Sequence, residues 1–216
     1  MADVSLFIGG IRPLPDSGRP TGMYKQPAVG RLELSRAGFV GDQQADRRVH
    51  GGPEKAVHLY PARHYARLAE RFPEAAPQLV IGSLGENIST ADLDESDVRI
   101  GDMKIDERFA SDGMAAFIAE HRLTGWYWRV VTPGHVTPGD RLELVLAAEG
   151  SFTLGEAMLC WQAHRPALAD LEKLAASPGI AKNWQQKIVS RVEWLRKNPE
   201  KTSPAPVAFH AKPENP

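Results

Sequence analysis

The sequence predicts a mainly β domain with interrupting helices, then a short helical segment and a Pro-rich tail. Three observations carry that expectation. Up to about residue 148, short apolar runs alternate with Gly and Pro, the spacing of strands joined by turns. From Ser151 the apolar period becomes helical. Between Asn198 and Pro216 large apolar groups are few and five of the 17 prolines accumulate. The expected divisions are a β domain at 1–148, three helices at 149–197 and a disordered tail at 198–216.

In chain order, strands are expected at Val4–Ile8, Ala56–Tyr60, Gln78–Ile81, Asp97–Ile100, Trp126–Val131 and Arg141–Leu146. In the last of these Leu142, Leu144 and Leu146 alternate with Arg141, Glu143 and Val145, so one face is buried. Pro138-Gly139-Asp140 supplies the turn before it. A first helix opens at Pro61, where a missing N–H costs nothing, buries Tyr65, Leu68, Ala69 and Phe72, and stops at Pro73. A second spans Asp112–His121, with Met114, Phe117 and Ile118 on one face and Ser111 or Asp112 as the cap. Thr153-Leu154-Gly155-Glu156 fits a capping box ahead of Leu154, Ala157, Met158 and Trp161. Pro166 opens a helix carrying Leu168 and Leu171, closed by Ser177-Pro178-Gly179. A last helix, Ala181–Lys197, presents Trp184, Ile188, Val192 and Leu195. Each has a single apolar stripe, so the three are expected to pack as a bundle.

Composition narrows the functions. With 216 residues, 42% apolar, and 26 basic against 27 acidic groups, the chain has the composition of an ordinary globular protein. It has no global field for a polyanion, which excludes general nucleic-acid binding. No apolar run approaches the ~20 residues of a membrane span, and no secretory signal opens the sequence, so a cytoplasmic location is expected. Cys160 is the sole cysteine, which excludes an intrachain disulfide and a cysteine cage for metal. Flanked by Leu159 and Trp161, it is expected to be a small buried apolar group.

The densest polar cluster is Gly41-Asp42-Gln43-Gln44-Ala45-Asp46-Arg47-Arg48-Val49-His50-Gly51-Gly52-Pro53-Glu54-Lys55. Paired glycines let backbone approach a ligand, and Arg47, Arg48 and Lys55 with the amides of Gly51 and Gly52 suit an anion such as phosphate. A polar loop with a tight turn has the same composition. Gly82-Ser83-Leu84-Gly85-Glu86-Asn87 places a carboxylate and an amide in a second glycine-bounded turn. His50, His58 and His64 match no compact zinc spacing. Between 151 and 201, eight basic residues face five acidic ones, either a solvated face or a dock for an acidic or nucleotide-like partner.

Gly-Asp-Gln-Gln-Ala-Asp, His-Gly-Gly-Pro-Glu-Lys-Ala-Val, Tyr60-Pro61 and His64-Tyr65 together resemble the MOSC family, named for the C-terminal domain of molybdenum cofactor sulfurases. Gly85-Glu86-Asn87-Ile88-Ser89-Thr90, Ile100-Gly101-Asp102, Thr124-Gly125-Trp126-Tyr127 and Pro138-Gly139-Asp140 follow in the order of the 6-N-hydroxylaminopurine resistance branch. The resemblance covers residues 5–197. It implies a β-barrel-like domain holding a molybdenum cofactor (molybdopterin), a branch that reduces N-hydroxylated bases, and, at family level, pyridoxal phosphate binding. It further implies His50 and Glu86 as proton carriers or orienting groups. Arg47, Arg48, Gly51, Gly52 and Lys55 would bind the cofactor, and Asp42, Gln44 and Asn87 would bind cofactor or substrate or else hold the loops. The implied partners are a small-molecule substrate and an unidentified redox partner.

The sequence departs from the family's pattern in one segment. Relatives follow Ile-Gly-Asp with a further strand and a Gln-Pro-Arg-x-Pro-Cys motif, whose cysteine the family pattern assigns to molybdenum. Here Met103-Lys104-Ile105 leads directly to Asp106-Glu107-Arg108-Phe109. No metal ligand is therefore assigned. A missing strand leaves an edge that favours a homodimer. The alternative is a non-catalytic binding module for a pterin, nucleotide or other phosphorylated ligand.

Overall fold

The structure is a computed structural model that describes residues 2–46, 50–97, 113–143 and 151–198. The expected strand Asp97–Ile100, residues 144–146 of the last expected strand, the expected tail from 199 onward, and Arg47 and Arg48 lie partly or wholly outside these residues. The chain forms two compact units, which divide near residue 145.

The described part of the first unit contains twelve short strands. They are β1 (Ala2–Asp3), β2 (Ser5–Ile8), β3 (Arg12–Pro13), β4 (Pro20–Thr21), β5 (Gln26–Pro27), β6 (Leu32–Ser35), β7 (Gly38–Phe39), β8 (Val57–Pro61), β9 (Ile88–Thr90), β10 (Trp126–Trp128), β11 (Gly134–Val136) and β12 (Arg141–Leu142). The principal sheet has the order β10-β8-β9-β2-β5. Within it β8 and β9 run parallel, and the other pairs are antiparallel. A parallel pair needs a crossover connection, and here it carries α1 (His64–Arg71). A second sheet is ordered β11-β6-β7, and β1-β12 and β3-β4 form two-stranded pairs.

Every residue of β8 is buried, in keeping with the apolar run expected at Ala56–Tyr60. Leu59 and Tyr60 have no exposed surface. Tyr60, Tyr65, Leu68, Phe72, Leu84, Met114, Ile118 and Leu123 form one apolar core under the sheet. The helical stripes expected at Tyr65/Leu68/Phe72 and at Met114/Phe117/Ile118 both reach it.

Four expectations are corrected. Gln78–Ile81 is not a strand: a 3₁₀ turn at Ala76–Gln78 continues into further turns. Both Val80 and Ile81 are exposed, so no burial favours extended pairing there. Pro61 closes β8 instead of opening α1, because its fixed φ also suits a strand end. The N-cap position of the second helix, α2 (Met114–Glu120), is Gly113 with φ 83°, while the expected caps Ser111 and Asp112 lie outside the described residues. The strand begun at Trp126 ends at Trp128, and the chain pairs again only in β11. The strands between residues 12 and 39 were not expected from the sequence; most are two residues long and contain Pro or Gly.

The second unit contains α3 (Leu154–Gln162), α4 (Leu168–Ala175) and α5 (Lys182–Lys197). The capping box is present: Thr153 Oγ1 accepts from Glu156 N at 3.2 Å, and Thr153 N donates to Glu156 Oε2 at 2.8 Å. Phe152, Ala157, Cys160, Leu171, Leu174, Ile188, Val192 and Leu195 form the core. Leu168, expected inside, is exposed, and Leu174 takes the buried position one and a half turns later. Cys160 is buried, as its neighbours imply, and burial raises its thiol to about 11.

Candidate functional site

The site grows from close backbone packing. Gly9 lies so near Tyr24 that a Cβ there would overlap the Tyr24 carbonyl oxygen. Contact at that range aligns the end of β2 with Lys25, just before β5. Gly9 N then donates to Asp42 Oδ1 at 3.0 Å. Lys25 Nζ reaches both oxygens of Asp42, at 2.5 and 2.6 Å. Both side chains are almost wholly buried, at 4% and 1% exposure. Burial lowers the Lys25 ammonium's affinity for its proton, and Asp42 acts against that effect.

Asp42 Oδ2 also accepts from Gln44 Nε2 at 3.1 Å and Asn87 Nδ2 at 2.9 Å. Asn87 is fixed in turn, its Nδ2 donating to Phe7 O at 3.2 Å and its Oδ1 accepting from His58 N at 3.2 Å. Three residues singled out from the sequence, Asp42, Gln44 and Asn87, thus share one hydrogen-bond network. Lys25 at its centre was missed, because a lone lysine between Tyr24 and Gln26 carries no spacing signal.

Glu86 is fully buried. Its Oε1 accepts from Tyr65 Oη at 2.6 Å and Gly82 N at 2.7 Å. Among the described residues its Oε2 has no hydrogen-bond partner. Burial raises the carboxyl's pKa, against hydrogen bonding from Tyr65 and from the backbone of residues 82, 84 and 86, which favours the charged form. The turn that presents it depends on Gly82, whose φ is 97° and whose Cβ would strike the Phe7 ring.

The second cluster gathers on β10. In the Trp126-Tyr127-Trp128 alternation, Tyr127 faces opposite the two tryptophans. Its ring stacks on His58 at 4.9 Å and its hydroxyl lies 2.9 Å from His50 Nδ1. Lys55 Nζ sits 5.5 Å from the Tyr127 ring centre. Buried His58 is held neutral, its pKa lowered to about 3 by desolvation and then by the charge of Lys25. Gly51 and Gly52 both have positive φ, and the Gln44 side chain lies against Gly51. Asp42–Gln44 and His50–Lys55 are therefore two ends of one site, joined through His58 and the Gln44–Gly51 contact. A surface depression of about 370 Å³ lies over residues 38–44.

His64, the third histidine, is elsewhere: it pairs with Glu95 at 2.7 Å. Among the described residues no group of three or more His, Cys, Asp or Glu side chains is placed to hold a metal ion.

A buried ion pair, a buried carboxyl with a raised pKa and a glycine turn beside a lysine thus lie in the loops around one small mixed sheet. Comparison with known proteins gives the chain a family. The family model described as the MOSC domain matches residues 46–106. The chain is 31% identical over 207 residues to Protein YiiM of Escherichia coli, covering 87% of this chain and 91% of that protein. It is 30% identical to the uncharacterized protein YflK of Bacillus subtilis, over 89% of this chain and 95% of that one. A protein named Reductase from Gibberella moniliformis is 28% identical over 142 residues, 57% of this chain but 25% of that protein. Among solved structures, the crystal structure of YiiM from Escherichia coli superposes with a TM-score of 0.72 at 25% identity, covering 89% of this chain and 92% of that one. The chain belongs to the MOSC domain family.

Proposed function

We propose that the chain is an oxidoreductase that uses a molybdenum cofactor to reduce N-hydroxylated bases and related compounds. Membership of the MOSC family and similarity to a protein named Reductase support the redox class. The observation that carries the reading is Glu86, a buried carboxyl with one oxygen bound by Tyr65 and Gly82 and the other without a partner among the described residues.

The residues fit the organic part of such a cofactor. Glu86 Oε2 is an orphaned polar atom beside the Asp42–Asn87 network, and the Gly51-Gly52 turn with Lys55, preceded in sequence by Arg47 and Arg48, suits a terminal phosphate. When bound, the cofactor would supply the two electrons of the reduction. Converting an N–OH group to N–H also consumes two protons and releases water. Glu86, whose pKa is raised by burial and whose Oε2 accepts no bond from the described residues, is the group placed to carry one of them. Asp42, Gln44 and Asn87 orient the polar edge of the bound group, while Lys25 neutralises Asp42 so that the pocket carries little net charge. His50 orients through Tyr127.

The test is the molybdenum and pterin content of protein from a cofactor-producing host, followed by reduction of an N-hydroxylated base. Glu86→Gln, which cannot release a carboxyl proton, is expected to keep the cofactor and lower kcat by about 10²-fold or more. Protein that contains neither molybdenum nor pterin overturns the reading.

One observation favours a second reading, a binding module for a pterin, nucleotide or other phosphorylated ligand. The only thiol is Cys160, buried in the helical unit and raised to about 11, so no thiolate is supplied as a metal anchor. Stabilisation by such ligands in protein that never acquires metal would select it.

A further inference from the structure

We infer that Glu95, which no motif of the sequence singles out, is a positioning residue for the candidate site, acting on Tyr127 through the Gly125 amide. The inference rests on the site proposed above.

Glu95 is 6% exposed, so its carboxylate must be compensated inside the protein. Its Oε2 accepts from His64 Nε2 at 2.7 Å, and its Oε1 accepts from Gly125 N at 2.8 Å. The neighbouring pair, Arg63 Nη1 to Asp94 Oδ2 at 2.7 Å, fastens the same stretch of chain to the start of α1. One carboxylate thereby ties the first residue of a helix to the residue that precedes β10.

That tether matters because of where β10 lies. It is three residues long and, among the described residues, sits at the edge of the principal sheet and pairs only with β8. Short edge strands hold few ladder bonds and open readily. At the far end, the Ala56 N to Trp128 O bond of 3.1 Å closes the strand. At the near end, Glu95 does so. Gly125 itself has φ 59° and lies against Leu59 O and the His58 ring, so the strand enters at one height only. Tyr127 is the middle residue of this clamped strand, and its hydroxyl and ring define the relation between His50 and His58. Without the near clamp, Tyr127 shifts and His50 loses its partner.

The experiment compares wild type with Glu95→Ala, Glu95→Gln, Glu95→Asp, Tyr127→Phe and, as a core control, Ile118→Val. Amide exchange over residues 124–128 and the side-chain ¹⁵N resonances of His50 are read in each. In Glu95→Ala, exchange is expected to quicken by about tenfold or more, with a shift in the His50 resonances. Glu95→Gln, which keeps an oxygen for the Gly125 amide, is expected to restore both largely. Glu95→Asp, too short to span both donors, is expected to fall between. Tyr127→Phe should move His50 alone. Unchanged His50 resonances in Glu95→Ala, or in Glu95→Asp should the alanine variant not fold, overturn the inference. So does an equal change in Ile118→Val at matched melting temperature. Neither readout needs cofactor or turnover, so a protein without molybdenum would refute the proposed reduction and leave this test intact.

Discussion

Glu86 and Lys25 are two ionisable groups whose burial opposes their charge, and they differ in how that cost is met. Lys25 is answered by Asp42 at 2.5 Å. Removing one member of a buried pair leaves the other uncompensated, so Lys25→Met is expected to cost about 3–5 kcal/mol in urea unfolding. Glu86 has hydrogen bonds but no cation in contact, and its pKa rises above 4.5. The folded state therefore binds more protons than the unfolded state at any pH between 4.5 and the raised value, and stability falls as pH rises through that interval. Glu86→Gln removes this dependence. Its melting temperature relative to wild type is expected to improve steadily as pH is raised from 4.5, and a pH-independent difference would refute the assignment of burial as the cause.

At the scale of elements, the molecule is held by short pieces whose ends are individually secured. Among the described residues the longest strand has five residues, so most pairing energy is local and the terminal contacts decide which segments stay ordered. The capping box at Thr153 is one such device. Thr153→Ala removes an acceptor for Glu156 N and should cost about 1 kcal/mol of the helical unit's stability, read by thermal unfolding. Loss of ten times that figure would mean that the residue does more than cap. The helices were legible in sequence because a 3.6-residue apolar period survives over two turns or more, as in Ile188, Val192 and Leu195. The strands between residues 12 and 39 were not, since a pair such as Arg12–Pro13 with Pro20–Thr21 has no room for a period. Gln78–Ile81 misled for the converse reason: an apolar run without burial is not a strand.

For the whole molecule, buried His58 is expected to contribute to the response to acid. Its imidazole takes a proton at pH 6.5 when unfolded but only near 3 when folded. The unfolded state thus binds more protons across that range, and stability is lost as pH falls from 6.5 toward 3. Urea unfolding over that range should show wild type losing more stability than His58→Gln; equal losses would show that another group governs acid unfolding. Composition, charge, the helical segment and the two glycine-bounded clusters were determined by the sequence alone, because they depend on residue type and on spacings of a few positions. The sequence also supplied Asp42, Gln44, His50, Lys55, Glu86 and Asn87 as candidates. Only the tertiary structure decided that Asp42, Gln44 and Asn87 share one network, that Lys25 neutralises Asp42, that Glu86 bonds to Tyr65 and Gly82, and that Tyr127 links His50 to His58. It also decided that His64 belongs instead with Glu95 and Gly125. The physical reason is that a buried charge is satisfied by whatever the fold brings within about 3 Å: for Asp42 that is a lysine 17 residues earlier and an amide 45 residues later, separations on which local sequence pattern has no bearing.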